Sequence, residues 1–282
     1  ATTVVLALAD RLQHWLGERA VLAFERLMGL VLTALAVEML LSGVVEVPSR
    51  QDIQGAAVRL AGKVRRTPVL EIHGEELGVP ARVVLKLECL QHTGSFKARG
   101  ALNALLSREI PPDGVVAASG GNHGAAVAWA ASRLGVPATV FVPDTSPPMK
   151  AERIASYGAD VRVVAGYYAD AAAAAEAFVV GREVTSVHPY DEPAVVAGQA
   201  TMGLELREQV PDVTTVLVTV GGGGLVSGVT LACAGGPLVV AGLTALVTLG
   251  GASVFMGGVG VFGALLIFFR MPETLSRTQV VE

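Results

Sequence analysis

The chain has 282 residues, of which 52% are hydrophobic and only 16% charged, against a usual charged share of about 25%. Its mean hydropathy of +0.55 excludes intrinsic disorder, which needs low hydrophobicity and high net charge, and it argues against a single ordinary soluble domain. A net charge of −4 leaves no electrostatic footprint for nucleic acid, and two cysteines, Cys89 and Cys233, cannot build a disulfide scaffold.

In chain order, Asp10 to Arg26 mixes both charge signs and is expected to form an amphipathic or interfacial helix. Met28 to Val45 is an apolar stretch with one charge, Glu38; it is expected as a short membrane span, with a buried soluble helix as the alternative. No basic region precedes it and no A-x-A site follows, so a signal peptide is not expected. From Pro48 to Pro211 the composition changes and most of the charge appears. Short β-branched runs at Val83–Leu87, Val115–Ala118, Ala138–Val142 and Val161–Val164 alternate with helix-compatible stretches such as Gly124–Leu134, Met149–Tyr157 and Ala169–Ala177. Gly135 and Gly158 sit where each would cap a helix that feeds a strand. This alternation predicts an α/β fold with a parallel sheet.

A last buried strand is predicted at Val213–Val220. From Val213 to Phe269 there is no Asp, Glu, Lys, Arg or His. Within it, Val229–Phe269 is long enough for two membrane helices of about 20 residues each; two buried helices of a large soluble core are the alternative. The composition therefore divides the chain into hydrophobic helical segments at 1–47 and 229–282 around a core at 48–228.

Three motifs in the core carry chemistry. Ser95-Phe96-Lys97-Ala98-Arg99-Gly100-Ala101 opens a predicted helix, where the positive end of the helix dipole disfavours a charged Lys97 and makes it a candidate nucleophile towards a carbonyl. Ser119-Gly120-Gly121-Asn122-His123-Gly124 joins a strand to a helix, a place where backbone amides favour an anion. His123 has no partner at metal-ligand spacing, so no metal site is expected. Gly221-Gly222-Gly223-Gly224 follows a strand directly and fits a loop whose amides wrap a phosphate; no Lys-Ser/Thr pair follows, which excludes a P-loop. Each motif alone also fits a surface lysine, a plain turn or a linker.

Taken in order, S-F-K-x-R-G-A, S-G-G-N-H-G and V-G-G-G-G-L resemble the pyridoxal-phosphate enzymes of the tryptophan-synthase-β fold. The closer resemblance is to the threonine/serine dehydratase (ammonia-lyase) branch, which includes serine racemase. Arg66-Thr67-Pro68-Val69-Leu70, Leu85-Lys86-Leu87-Glu88, His188-Pro189-Tyr190-Asp191 and Gly198-Gln199-Ala200-Thr201 support it. The resemblance implies a parallel three-layer α/β sheet and pyridoxal 5'-phosphate as cofactor. It assigns Lys97 as the Schiff-base residue and catalytic base, Phe96 beside the cofactor ring, Asn122 to the ring oxygen, Gly221, Gly222, Gly223 and Gly224 to the phosphate, and Ser119, Asn122 and His123 to the loop that grips the substrate carboxylate. The implied reaction is β-elimination of L-threonine or L-serine to a 2-oxo acid and ammonia. Racemases of this branch resemble S-S-G-N-H, with a second serine as acid/base, where this chain has Gly120; elimination is therefore expected over racemisation.

The resemblance fades near residue 228, so the sheet is expected to be incomplete, with no identifiable partner for the ring nitrogen. Residues 1–47 resemble the end of a MarC-type membrane protein, and 229–282 the last helices of a major-facilitator transporter. Two other functions follow from these junctions: an inactive dehydratase-like module in a membrane-associated chain, or an artificial join of unrelated pieces. The expected partner is a small amino-acid substrate, with a homo-oligomer if the core is complete and membrane association through 28–45 and 229–269. Basic residues beside the first span (Arg50, Arg59, Lys63, Arg65, Arg66) and after the last (Arg270, Arg277) would keep the core cytoplasmic.

Overall fold

The computed structural model describes residues 47–77, 81–234 and 236–243. Helix α1 (Arg50–Leu60) starts at a capping box, in which the Ser49 hydroxyl accepts the Asp52 amide at 3.2 Å and the Asp52 carboxylate accepts the Ser49 amide at 2.8 Å. Strands β1 (Val69–His73) and β2 (Arg82–Lys86) pair antiparallel, Val69 opposite Lys86. Two short 3-10 turns, Glu88–Leu90 and His92–Gly94, then lead into helix α2 (Lys97–Leu106).

The alternating part follows as β3 (Val115–Ala118), α3 (Asn122–Leu134), β4 (Ala138–Pro143), α4 (Pro148–Ala155), β5 (Asp160–Val164), α5 (Tyr168–Val179), β6 (Thr185–Ser186) and α6 (Pro193–Gln209). The four strands form a parallel sheet in the order β5-β4-β3-β6. Its layers follow from the two-residue period of a strand. Val115 and Ala117 of β3, with Val140 and Val142 of β4, pack against the alanine-rich face of α3 and the apolar residues of α2. Val116, Ala118 and Phe141 turn the other way, onto Ala171 and Ala175 of α5. Every residue of β3 is buried, which is why the strand reads as a continuous apolar run rather than an alternating one. Gly135 ends α3 in the left-handed region at φ 67° and Gly158 turns the chain into β5 at φ 87°.

The last described elements are β7 (Thr215–Val220), α7 (Gly224–Cys233) and β8 (Leu238–Leu243), with β8 parallel to β7 from Thr215 opposite Leu238 to Val220 opposite Leu243. The α/β pattern thus continues past residue 228. Residues 229–243 finish a helix and form a parallel strand, so this part of the 229–269 stretch does not begin a membrane helix. Its lack of charge is that of a helix and strand in an α/β unit, whose parallel strands are apolar on both faces. Among the described residues no helix is long and apolar enough to cross a membrane. The span expected at 28–45 and the remainder of the second stretch, 244–269, lie outside the described residues.

Candidate active site

The three motifs all sit at helix starts: Lys97 at the first residue of α2, Asn122 at the first residue of α3, and Gly224 at the first residue of α7. The first backbone amides of a helix have no partner within it, so each start offers donors and a positive dipole end. One short segment, 187–190, touches all three motifs. The Val187 carbonyl accepts from the His123 ring at 2.9 Å, the Pro189 carbonyl accepts from Lys97 Nζ at 2.5 Å, and Tyr190 packs against Gly222 and Gly224.

Lys97 is largely buried, and desolvation lowers its pKa to about 8. Its Nζ lies 5.2 Å from the Phe96 ring centroid, while Phe96 itself packs on the cluster of Met202, Leu206, Val218 and Val229. His123 is 4% exposed. Its Nε2–H is committed to Val187, its Nδ1 is buried without a partner, and burial holds its pKa down to about 3. The ring is therefore neutral and faces inward, pinning segment 187–190 rather than opening towards a substrate. Asn122 is exposed at the loop tip, and the Ser119 hydroxyl accepts the Gly121 amide at 3.2 Å, folding the loop on itself.

The four glycines differ. A Cβ on Gly222 would lie 2.2 Å from the Tyr190 ring, and one on Gly224 would lie 2.8 Å from the Tyr190 carbonyl oxygen. Gly223 caps α7 at φ 86°, in the left-handed region. Gly221 has open space within 4 Å and no such backbone demand. Packing and backbone geometry thus account for three glycines, leaving Gly221 exposed at the end of β7 with open space beside it.

The sequence profile of the pyridoxal-phosphate dependent enzymes matches residues 60–243. The chain belongs to that family. An L-threonine ammonia-lyase of Geobacter sulfurreducens is 46% identical over 184 residues, which are 64% of this chain and 45% of that protein. Among solved structures, a T.th. threonine deaminase is 40% identical with a TM-score of 0.64, covering 69% of this chain and 64% of the other. Maize serine racemase is 33% identical with a TM-score of 0.67, covering 70% and 61%. The chain spans about half the length of the curated relatives it matches. Residues 1–47 match the profile of the MarC family of integral membrane proteins.

The family's cofactor, pyridoxal phosphate, carries an aldehyde and a phosphate, and this member of the family has a group suited to each. An amine with a pKa of about 8 is far more often uncharged at neutral pH than an ordinary lysine. Gly221 opens the short loop that leads into α7, whose start favours a phosphate. Two features of the site were not singled out from the sequence. Segment 187–190 is one: its contacts with Lys97 and His123 are made by main-chain carbonyls, which no residue type announces. Ser146 is the other: its Oγ stands 2.0 Å from where a Cβ on Gly120 would be.

Proposed function

We propose that the chain is a pyridoxal-phosphate lyase core that eliminates the β-hydroxyl of L-threonine or L-serine, releasing a 2-oxo acid and ammonia. The observation that carries this is the Lys97 amine, desolvated to a pKa of about 8 and held on the Pro189 carbonyl, one residue before the Tyr190 that packs against the glycine loop. The cofactor, when bound, supplies an electrophilic carbon and a ring that takes up electrons as the substrate Cα–H bond breaks. Lys97 Nζ would be the nucleophile that holds the group and the base that takes the substrate α-proton. The Pro189 carbonyl receives an N–H of Nζ and keeps the amine's lone pair turned away from that carbonyl. The amides at Gly221–Gly224 would hold the phosphate, Phe96 would flank the ring, and Asn122 would donate to the ring oxygen. The amides of Gly120, Asn122 and His123 would bind the substrate carboxylate, since those of Ser119 and Gly121 donate to the Phe141 carbonyl and the Ser119 hydroxyl, while the His123 ring keeps segment 187–190 in place.

Elimination is favoured over racemisation because position 120 carries no hydroxyl and its side-chain space is filled by Ser146. We place this core in the cytoplasm, as a homo-oligomer if the core is complete, with membrane attachment through the N-terminal segment supported by the MarC match. The test is an absorbance spectrum with added pyridoxal phosphate, compared with Lys97→Ala, followed by assays of 2-oxo acid and ammonia from serine and threonine. A visible band that depends on Lys97, together with turnover, is expected. No band in the unmodified protein would refute the lyase reading and favour an inactive module, and formation of D-serine would favour racemisation.

A further inference from the structure

Two residues beyond Lys97, on the first turn of α2, the Arg99 side chain is fully buried. Both faces of its guanidinium are taken. Nε and Nη2 donate to the two oxygens of Glu88 at 2.8 Å each, while Nη1 and Nη2 donate to the two oxygens of Glu205 at 2.7 and 2.9 Å. Glu88 stands in the turn after β2 and also accepts the Thr67 hydroxyl at 2.5 Å. Glu205 stands on α6 and also accepts from Lys86 Nζ at 2.8 Å, and that amine reaches Gln209 and the Thr67 carbonyl as well. Two carboxylates and two cations make this cluster neutral, and its burial is tolerable because every charge is paired.

The cluster is one end of a longer brace. Gly100 and Gly198 bring α2 and α6 together so closely that a Cβ on Gly198 would lie 2.8 Å from the Gly100 Cα. Farther along, Asn103 Nδ2 donates to the Ala194 carbonyl at 2.7 Å. The helices therefore run antiparallel, and the N-terminal end of α6 leads directly back to segment 187–190. Lys97 stands at the start of one helix of this pair, and the carbonyl that receives its amine lies in the segment just ahead of the other.

We propose that Arg99 is a positioning residue, which through its fork between Glu88 and Glu205 fixes the start of α2 so that Lys97 Nζ stays buried on the Pro189 carbonyl. The proposal rests on the reading of Lys97 as the reacting amine but not on bound cofactor. A lysine at position 99 keeps the charge yet cannot span both carboxylates.

The test is competitive acetylation of the intact protein with acetic anhydride across pH, read at Lys97 by peptide mass spectrometry, in variants shown to be folded by cooperative melting. Wild-type Lys97 is expected to label with a midpoint near pH 8. Arg99→Lys is expected to move that midpoint up towards the ordinary lysine value, because the amine leaves its buried site. The double variant Arg99→Met with Glu205→Met removes one charge of each sign, keeps the cluster neutral, and is expected to do the same. Ile154→Val, a core change on α4 that lowers stability, is expected to leave the midpoint in place. A folded Arg99→Lys or double variant that labels with the wild-type midpoint overturns the proposal, since Arg99 would then be merely structural. Failure of both variants to fold overturns it too, because positioning requires a folded core with a displaced amine. If the midpoint moves but no cofactor band forms in any protein, the lyase reading fails while the positioning role stands.

Discussion

Alanine substitution at each glycine of the 221–224 loop should separate packing from ligand binding. At Gly222 the new methyl would stand 2.2 Å from the Tyr190 ring, and at Gly224 it would meet the Tyr190 main chain at 2.8–3.0 Å. Overpacking of this kind costs about 1–3 kcal/mol, and Gly224→Ala should fall at the upper end because backbone yields less than a ring. Gly223→Ala would put a side chain at φ 86°, for a cost of about 1–2 kcal/mol. Gly221→Ala meets nothing within 4 Å, so it should leave the protein as stable or gain about 0.4–1 kcal/mol by restricting the unfolded chain. Yet its methyl would occupy the room assigned to the phosphate and weaken pyridoxal-phosphate binding by about tenfold or more, roughly 1.4 kcal/mol. Denaturant unfolding of the four variants, paired with spectrophotometric cofactor titration, would measure both quantities. A Gly221→Ala protein that is destabilised like Gly222→Ala, or that binds cofactor like wild type, would refute the assignment of Gly221 to the ligand.

Three further outcomes follow from the same geometry. His123 stays neutral in the fold with a pKa of about 3, whereas the unfolded chain takes up a proton near pH 6.5, so stability should fall as pH drops from about 6.5 towards 3; unfolding curves of His123→Phe should show a shallower loss over that window. Lys97 gives the same sign of dependence in a higher window. Its folded pKa of about 8 lies below the unfolded value, so stability should rise with pH from about 8 to 10.5, and Lys97→Met should stabilise the protein at pH 7 by about 1–3 kcal/mol and flatten that rise. Gly120→Ser should cost about 1–3 kcal/mol by collision with Ser146, and adding Ser146→Gly should recover most of it in a double-mutant cycle.

Much of the fold was legible because its signals are local. β3 was readable to the residue at Val115–Ala118, and β4, β5 and β7 to within two residues, since β-branched runs bounded by glycines name parallel strands directly. The α1 helix, β1 and the two-residue β6 carry weaker patterns and were not marked out. β8 was hidden inside an apolar stretch, where periodicity cannot tell a buried strand from a helix. In the candidate site, the placement of Lys97 and the glycine loop at helix starts was legible from residue type. The inward turn of His123 was not, because whether a histidine faces a ligand or a core is decided by what packs over it. Nor was the Arg99 brace, whose partner Glu205 is brought in from over a hundred residues away.

The bond between Lys97 and Pro189 joins residues 92 apart in the chain. During synthesis at about 5–20 residues per second, the lysine therefore precedes its carbonyl partner by roughly 5–20 s. Over that interval its amine is an ordinary solvated, protonated lysine with little appetite for cellular aldehydes. The amine can settle on its carbonyl only once segment 187–190 has been made, so the lowered pKa of Lys97 belongs to the folded core and not to the nascent chain.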